Sequence, residues 1–475
     1  MCRMAHRVTS IDYVRLQWRL ALPMVLSGLV APSRRHWPHV VRRQSAVGTY
    51  RVLRSIRKKY GPRTWSRFPF KSTLLVLDRD GIEKVLQSTD NFADPFLKKL
   101  PLSCFTPSGV IVSRNQPPPT PSTLWSARRP VNNYALAFGR SQHPDADLFT
   151  RIIDHEVKQL LKDRPDVLVW DDFSTLAAKI SQQVIFGHGK YCPYFEQRVS
   201  RIVSSSNWGI ARHHDLRPFF NRIRTQLDEK ASPRSVHLAR RAARWGTKNG
   251  NRKHAQVSSQ VAFWAFVMKD AIELHTVRTL ALIVQAPDVQ RRLIEEVRAS
   301  RPPTAADIDG LDFLEACIKE QLRLWTPVPI LLRKAVEDFE LPADAAGTAP
   351  KVAIPKGHWI LMHTGFYHRD PEVFGAAAHR FSPEERVHDR CNAISVTNSD
   401  PPLYVFSRHH QACAGQFLAI FLLKAVLAAL LRRGPYVLLD DKIDREAVPS
   451  AIDQFALRFL RRRREPCANP LAGVP

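Results

Sequence analysis

From Gln416 to Arg432 the chain is almost free of helix breakers, and apolar side chains fall on most faces of the helix this implies: Phe417, Leu418, Ile420, Phe421, Leu422, Val426, Leu427, Leu430 and Leu431. A helix that is apolar all round is a buried helix. Cys413 stands just before it, among backbone N–H groups that have no partner within the helix. There the helix dipole and N–H···S bonds favour a thiolate. Gly415 lets the backbone pass close to something flat and large. The plainer reading of a lone cysteine here is a small hydrophobe beside a core helix.

The chain has 475 residues, room for one very large domain or two to three ordinary ones, and its 44% hydrophobic content is that of a globular protein. Seven cysteines are scattered without paired spacing. There is no CxxC or Cys/His zinc pattern, and the odd count argues against a complete disulfide framework, so a reducing compartment is expected. The formal net charge is +27. Such a field attracts nucleic acid, anionic membrane or an acidic protein. The basic residues are spread out, with local concentrations at Arg234 to Lys253 and at Arg458 with Arg461 to Arg464. No nucleic-acid motif accompanies them. A solvated basic surface explains them most simply, with an acidic electron-transfer partner or an anionic membrane as the functional readings.

Near the N-terminus, the apolar run from Leu20 to Ala31 has twelve residues. A bilayer span needs about 20. The expectation is a helix that packs on the body or lies in a membrane interface.

Periodicity places a helix over 49–60, ended by Gly61-Pro62, and a strand over Thr73 to Leu77. Asp80 is expected to cap a short helix, Gly81 to Ser88. Helices follow over Asp145 to Lys162, Val167 to Gly187, Val261 to Val284 and Asp312 to Leu324, with strands at Ile330 to Arg333 and Trp359 to Met362. Residues 231–257, polar and basic, read as a mobile connection on the rim of an access channel.

Several segments then fall in a telling order. Phe406, Cys413 seven residues later and Gly415 form a loop that resembles the cysteine-ligand loop of the cytochrome P450 family. In that family the thiolate is the axial ligand of a haem iron and favours O–O cleavage. The family usually has Gly where His409 stands and Arg or His where Gln411 stands. The resemblance makes His409, His410 or Arg408 the substitute for the lost haem-propionate contact. Trp125 and Arg129, four apart, share a helix face. They resemble the family's W-x-x-x-R pair, which lies over a propionate; a guanidinium fork suits a carboxylate. Glu320 and Arg323 resemble its E-x-x-R pair, which fixes the cysteine loop, with Arg386 or Arg380 as third member. Arg333 matches an arginine that reaches a propionate. His368-Arg369-Asp370-Pro371 and Arg380-Phe381-Ser382-Pro383-Glu384 match two further segments. From Glu320 to Cys413 there are 93 residues, a spacing that resembles eukaryotic members, with the excess placed in 386–400.

The family's long central helix carries a small residue, Gly, any residue, an acid and Thr over the distal haem face. Two registers fit. Matching the threonine gives Ile272 to Thr276, with Thr276 and His275 near the iron. Counting back from Pro287 by roughly four and a half turns gives Val267 to Ala271, with Asp270 as the acid and no alcohol. The second register avoids an unpaired Glu273 beside the iron, which is costly.

The resemblance covers roughly residues 50–435 and implies a mainly α, cytochrome P450-like fold. About a dozen helices and a small β-rich lobe (68–78 and 330–363) would enclose a buried haem b. The expected organisation is an N-terminal segment (1–48), a single haem-thiolate domain (49–465) and a tail (466–475). Cys413 would be the iron ligand. Trp125, Arg129, Arg333, Phe406, Gly415 and His409 would bind the cofactor. Asp270 or Thr276 would serve in catalysis, and Glu320 and Arg323 would be structural. The implied reaction inserts one oxygen atom from O2 into an apolar small molecule. Electrons would come from an acidic ferredoxin- or flavin-type partner, with peripheral membrane contact on the cytoplasmic side and no nucleic acid. Two alternatives stay open. One is a peroxide-using or isomerising haem-thiolate enzyme. The other is a catalytically impaired haem-binding or interaction protein.

Overall fold

The elements follow from the chain in order. Helix α1 (Ser10–Leu16) is capped by Thr9. Helix α2 (Trp37–Tyr60) ends where Gly61 takes a φ of +89°. It runs through the 48/49 boundary expected from the sequence. Strands β1 (Arg63–Arg67) and β2 (Ser72–Val76) precede α3 (Arg79–Gln87) and β3 (Phe92–Ala93). Then come α4 (Thr123–Ala135), α5 (Ala146–Asp163), β4 (Val167–Leu168), α6 (Trp170–Phe186), α7 (Leu238–Lys248), α8 (Val257–Val284), α9 (Pro287–Glu296) and α10 (Asp312–Leu324). Strands β5 (Leu331–Ala335), β6 (Phe339–Leu341), β7 (Val352–Ile354) and β8 (Trp359–Met362) lead to α11 (Gln416–Leu431), β9 (Tyr436–Leu438) and β10 (Phe459–Arg461). This computed structural model describes residues 6–21, 37–67, 71–93, 95, 123–187, 189, 191–197, 221, 223, 237–248, 257–298, 303–387, 399–439 and 442–462; for 21, 37–47, 123–127, 246–248 and 258–259 it describes only the backbone.

The architecture is mainly helical with a β-rich lobe, as the sequence implied. The main sheet has the order β1-β2-β8-β5-β3, with β2 and β8 parallel and the other pairs antiparallel. Its two faces feed different cores. Leu74 and Val76 join the large core, while Leu75, Leu77 and Leu361 pack with Leu16, Leu20, Leu53, Ile56 and Phe366. A strand buried on both faces reads as a continuous apolar run, which is why 73–77 was legible. The α1 segment therefore packs on the body through Leu16 and Leu20. No helix among the described residues is long and apolar enough to cross a membrane.

Two expectations are corrected. Asp78, not Asp80, caps α3: its carboxylate accepts the Gly81 N–H at 2.7 Å and pairs with Arg63. Within 231–257 lies helix α7, not only a connection. Leu238, Ala239 and Ala242 are fully buried on one face of it. Arg241 leans on the Tyr134 ring of α4. The loop 101–122 and the polar segment 388–398 lie outside the described residues.

At the centre, α8 packs against α6, α10 and α11. Helix α11 is buried along nearly its whole length, as its composition requires.

Candidate haem-thiolate site

The segment that enters α11 is a tight loop. Cys413 N–H bonds to Phe406 O at 2.8 Å, Ala412 N–H to His409 O at 3.1 Å, and Ser407 N–H to Tyr404 O at 3.0 Å. Ser407 and His409 both take a φ of +55°. Left-handed backbone costs an L-residue about 1–2 kcal/mol. The turn thus forms with a histidine where the resembled family usually has glycine. Its ring hydrogen-bonds through Nε2 to Glu83 on α3, while the Arg408 guanidinium lies 3.7 Å from the same carboxylate.

Cys413 combines two properties. It retains accessible surface. Yet the protein around it is dense enough that burial raises its thiol pKa. The Gly415 N–H and the Arg129 guanidinium oppose that shift without overcoming it. The local fields named in the sequence reading are therefore present and outweighed. Among the described residues, a Cβ built on Gly415 would meet only Leu136 Cδ1, at 3.8 Å, so none of them fills the space beside it.

Two cations flank the loop, Arg129 half-buried and Arg333 buried. Arg129 of α4 donates to Ala412 O at 2.6 Å and stacks on Phe138; burial lowers its pKa. Arg333 of β5, 1% exposed, donates to Gln411 Oε1. Trp125 lies one helical turn before Arg129 on α4, and its side chain lies outside the described residues. Phe406 packs against the large core.

A second layer ties the loop to α10. Glu320 and Arg323 form a fully buried pair at 2.6 and 2.8 Å. Arg323 also donates to the carbonyls of His368, Ala377, Ala378 and Arg380. The carboxylate of Glu320 accepts from Ser382 N, and Arg386, rather than Arg380, stands 3.5 Å from it as third member. His368 carries the connection onward: its Nε2 accepts from Tyr404 N at 2.8 Å. Burial, aided by the nearby Arg323, holds this imidazole down to about 3, so it is neutral and able to accept.

On α8 the residues divide by face. Val267 (39% exposed), Asp270, Ala271 and Leu274 are the more accessible and share one face at helical spacing. Lys269, Glu273, His275 and Thr276 turn into the body. Lys269 bonds Glu273 at 2.6 Å and Ser174 at 3.1 Å, with Glu196 3.4 Å away. Burial acts to lower the lysine pKa, but the two carboxylates outweigh it and the net shift is upward. Glu273 is thus buried and paired, not buried and alone as the first register would have left it. His275 bonds Gln321 of α10, and Thr276 Oγ1 has no hydrogen-bond partner among the described residues.

Comparison with known proteins adds an independent line. Residues 275–437 match the family model described as Cytochrome P450. That stretch contains Glu320, Arg323, Arg333, Cys413 and Gly415. Over these residues the chain is similar to the cytochrome P450 family. Among curated relatives, "Cytochrome P450 4c21" of Blattella germanica is 36% identical over 152 residues, which is 31% of this chain and 28% of the relative. "Probable cytochrome P450 313a1" of Drosophila melanogaster is 27% identical over 305 residues, 56% of this chain and 58% of the relative. The chain therefore matches well under two thirds of the length of either. A zebra fish cytochrome P450 solved with abiraterone shares the fold at a TM-score of 0.64 and 17% identity, covering 87% of this chain and 100% of that one.

Haem b is the cofactor of the cytochrome P450 family, and the residues present fit it. An accessible thiol, room beside Gly415 among the described residues, and the Arg129 guanidinium close to that thiol suit a flat ring with a metal centre and two carboxylates. Two contacts of this site join residues far apart in the chain. Glu83 lies 326 positions from His409, and Gln411 accepts from Arg333 across 78. Neither contact has a local sequence signal.

Proposed function

We propose that the protein is a haem-thiolate monooxygenase with Cys413 as the axial ligand. The observation that carries this reading is an accessible Cys413 just before α11, with the Gly415 N–H bonded to its sulfur and the charge of Arg129 acting on it. Bound haem supplies the activation of O2, and a thiolate ligand pushes electron density toward its iron. This chain's residues do the rest. The Gly415 N–H supports the sulfur's negative charge. Arg129 and Arg333, with Trp125, hold the propionate edge. Phe406 packs the loop, and Glu320 with Arg323 keeps it in register.

On the opposite side, Asp270 passes protons through water, a general-acid role. Val267 and Leu274 present an apolar wall to a small-molecule substrate. One oxygen atom enters that substrate and the other leaves as water, with electrons from a ferredoxin- or flavin-type partner whose acidic surface suits the chain's charge of +27. Peripheral attachment to the cytoplasmic side of a membrane is supported by α1. On it and on the π-helical turn that continues it (Gln17–Ala21), Ile11, Val14 and Trp18 are exposed, with Arg15 and Arg19 also exposed.

The deciding experiment is the absorption spectrum of the dithionite-reduced protein under carbon monoxide. A strongly red-shifted Soret band, lost in Cys413→Ala, is the expected result. Haem binding with an unshifted band, or the same band in the variant, removes Cys413 from the ligand position.

One observation favours a second reading, in which the same site uses peroxide or isomerises an oxygenated substrate. Ala271 stands where the family's alcohol would stand in the Asp270 register, and Thr276 is turned inward. Turnover with hydrogen peroxide and no reductant, at rates above the reductase-driven reaction, is the result that selects it.

A further inference from the structure

The cysteine loop contains a conformational problem and a built answer to it. Two non-glycine residues, Ser407 and His409, sit in left-handed backbone within a loop that ends at Cys413. Such geometry persists only where surroundings hold it. Nothing in the loop's own main chain holds the His409 ring. What does is Glu83, from α3, whose carboxylate takes the His409 Nε2 and faces Arg408. These partners outweigh the carboxyl's partial burial and keep its pKa low.

Helix α3 is a firm base for such a contact. Ile82, Val85 and Leu86 are buried in the large core, and Asp78 both caps the helix and binds the buried Arg63. From His409 the connection to the sulfur is short. The His409 carbonyl accepts the Ala412 N–H, and the Ala412 carbonyl accepts Arg129. Ala412 is thus gripped from both sides, one residue before Cys413.

We propose that Glu83 is a positioning residue for Cys413: it clamps His409 in left-handed backbone and thereby sets the orientation in which Cys413 meets the haem iron. This rests on Cys413 being the ligand. Glu83 touches neither cofactor nor substrate; it acts through His409. A glycine at 409 would adopt the same backbone without help. The clamp is therefore needed only because a histidine stands there.

The test uses the full-length haem-loaded protein and the reduced carbon monoxide spectrum, read as the ratio of the red-shifted to the unshifted Soret band. Haem content and melting temperature are measured alongside. Glu83→Ala lowers the ratio about ten-fold, the worth of one charge-assisted hydrogen bond. Glu83→Gln, which keeps an acceptor for the ring, lowers it less and serves if the alanine variant folds poorly. Adding His409→Gly to Glu83→Ala brings the ratio back, which a merely stabilising role for Glu83 would not produce. An unchanged ratio in Glu83→Ala overturns the proposal, and so does a double variant as low as the single one. Cys413→Ala separates the two levels: if it abolishes the shifted band while Glu83→Ala does nothing, the ligand stands and the clamp falls. If the band survives it, the ligand assignment fails and the clamp with it.

Discussion

The Arg129 guanidinium donates to the carbonyl of Ala412, 283 residues away in sequence and immediately before Cys413, at 2.6 Å. One side chain of α4 thus touches the cysteine loop, and in the proposed site the same side chain holds a propionate. Arg129→Ala loses both roles. A charge-assisted hydrogen bond is worth about 1.5–3 kcal/mol, so haem should leave the variant at least about ten-fold faster, measured as transfer to apomyoglobin. Arg129→Lys keeps the charge without the fork and should fall between. Equal transfer rates in all three proteins would place the propionates elsewhere.

Acid should destabilise the protein well before its carboxylates titrate. Burial holds the imidazoles of His275 and His368 down to about 3, and those of His143 and His363 to about 4, against an ordinary 6.5. Below 6.5 the unfolded chain takes up these protons and the folded chain does not. Stability is therefore full above 6.5 and declines as pH falls toward 4, by about 1.4 kcal/mol per pH unit for each histidine. The carboxyl of Glu315 contributes lower down: burial opposes its ionisation, Lys424 and Lys319 outweigh burial, and its pKa falls to about 2. Urea midpoints taken from about pH 7 to about pH 5 should drop steeply, and His275→Gln should reduce the slope by one proton. A flat profile would mean that these rings are not buried neutral.

What could be read from the sequence followed from local periodicity and from fixed spacing. Helix α10 and strand β8 lie where their apolar patterns put them. The Glu320–Arg323 pair forms because three residues on a helix bring two side chains together. Helix α7 escaped because its buried face is built largely from Ala239 and Ala242, which barely register as apolar among so many arginines. The α3 cap was misplaced because Asp78 and Asp80 offer the same chemistry, and only the pairing of Asp78 with Arg63 decides between them. Glu83, Gln411 and the contacts of Lys269 with Ser174 and Glu196 join elements far apart in the chain, and no spacing announces them; Lys269 and Glu273, four apart on α8, stand at a spacing that does.

Removing one partner of the buried Lys269–Glu273 pair should be costly. With Lys269→Met, Glu273 stays in the interior with its nearest cation gone, and breaking such a pair typically costs about 3–5 kcal/mol. Lys269→Met with Glu273→Leu removes both charges and should recover most of the loss. Urea unfolding of the two single variants and the double variant gives the coupling directly. Additive effects would show that the pair is solvated.

The face division of α8 yields the sharpest functional prediction. If the accessible face with Val267, Asp270, Ala271 and Leu274 is the distal face, the position of the missing alcohol is 271. Ala271→Thr then supplies a hydroxyl beside Asp270. It should raise reductant-driven oxygen insertion relative to peroxide-driven turnover by about ten-fold or more, since a positioned proton donor contributes 10²–10⁴. Thr276→Val should leave that ratio unchanged, because Thr276 is turned into the body. The reverse pattern, a loss in Thr276→Val and no gain in Ala271→Thr, would assign the other register. It would also make His275 and Thr276, not Asp270, the residues that handle protons.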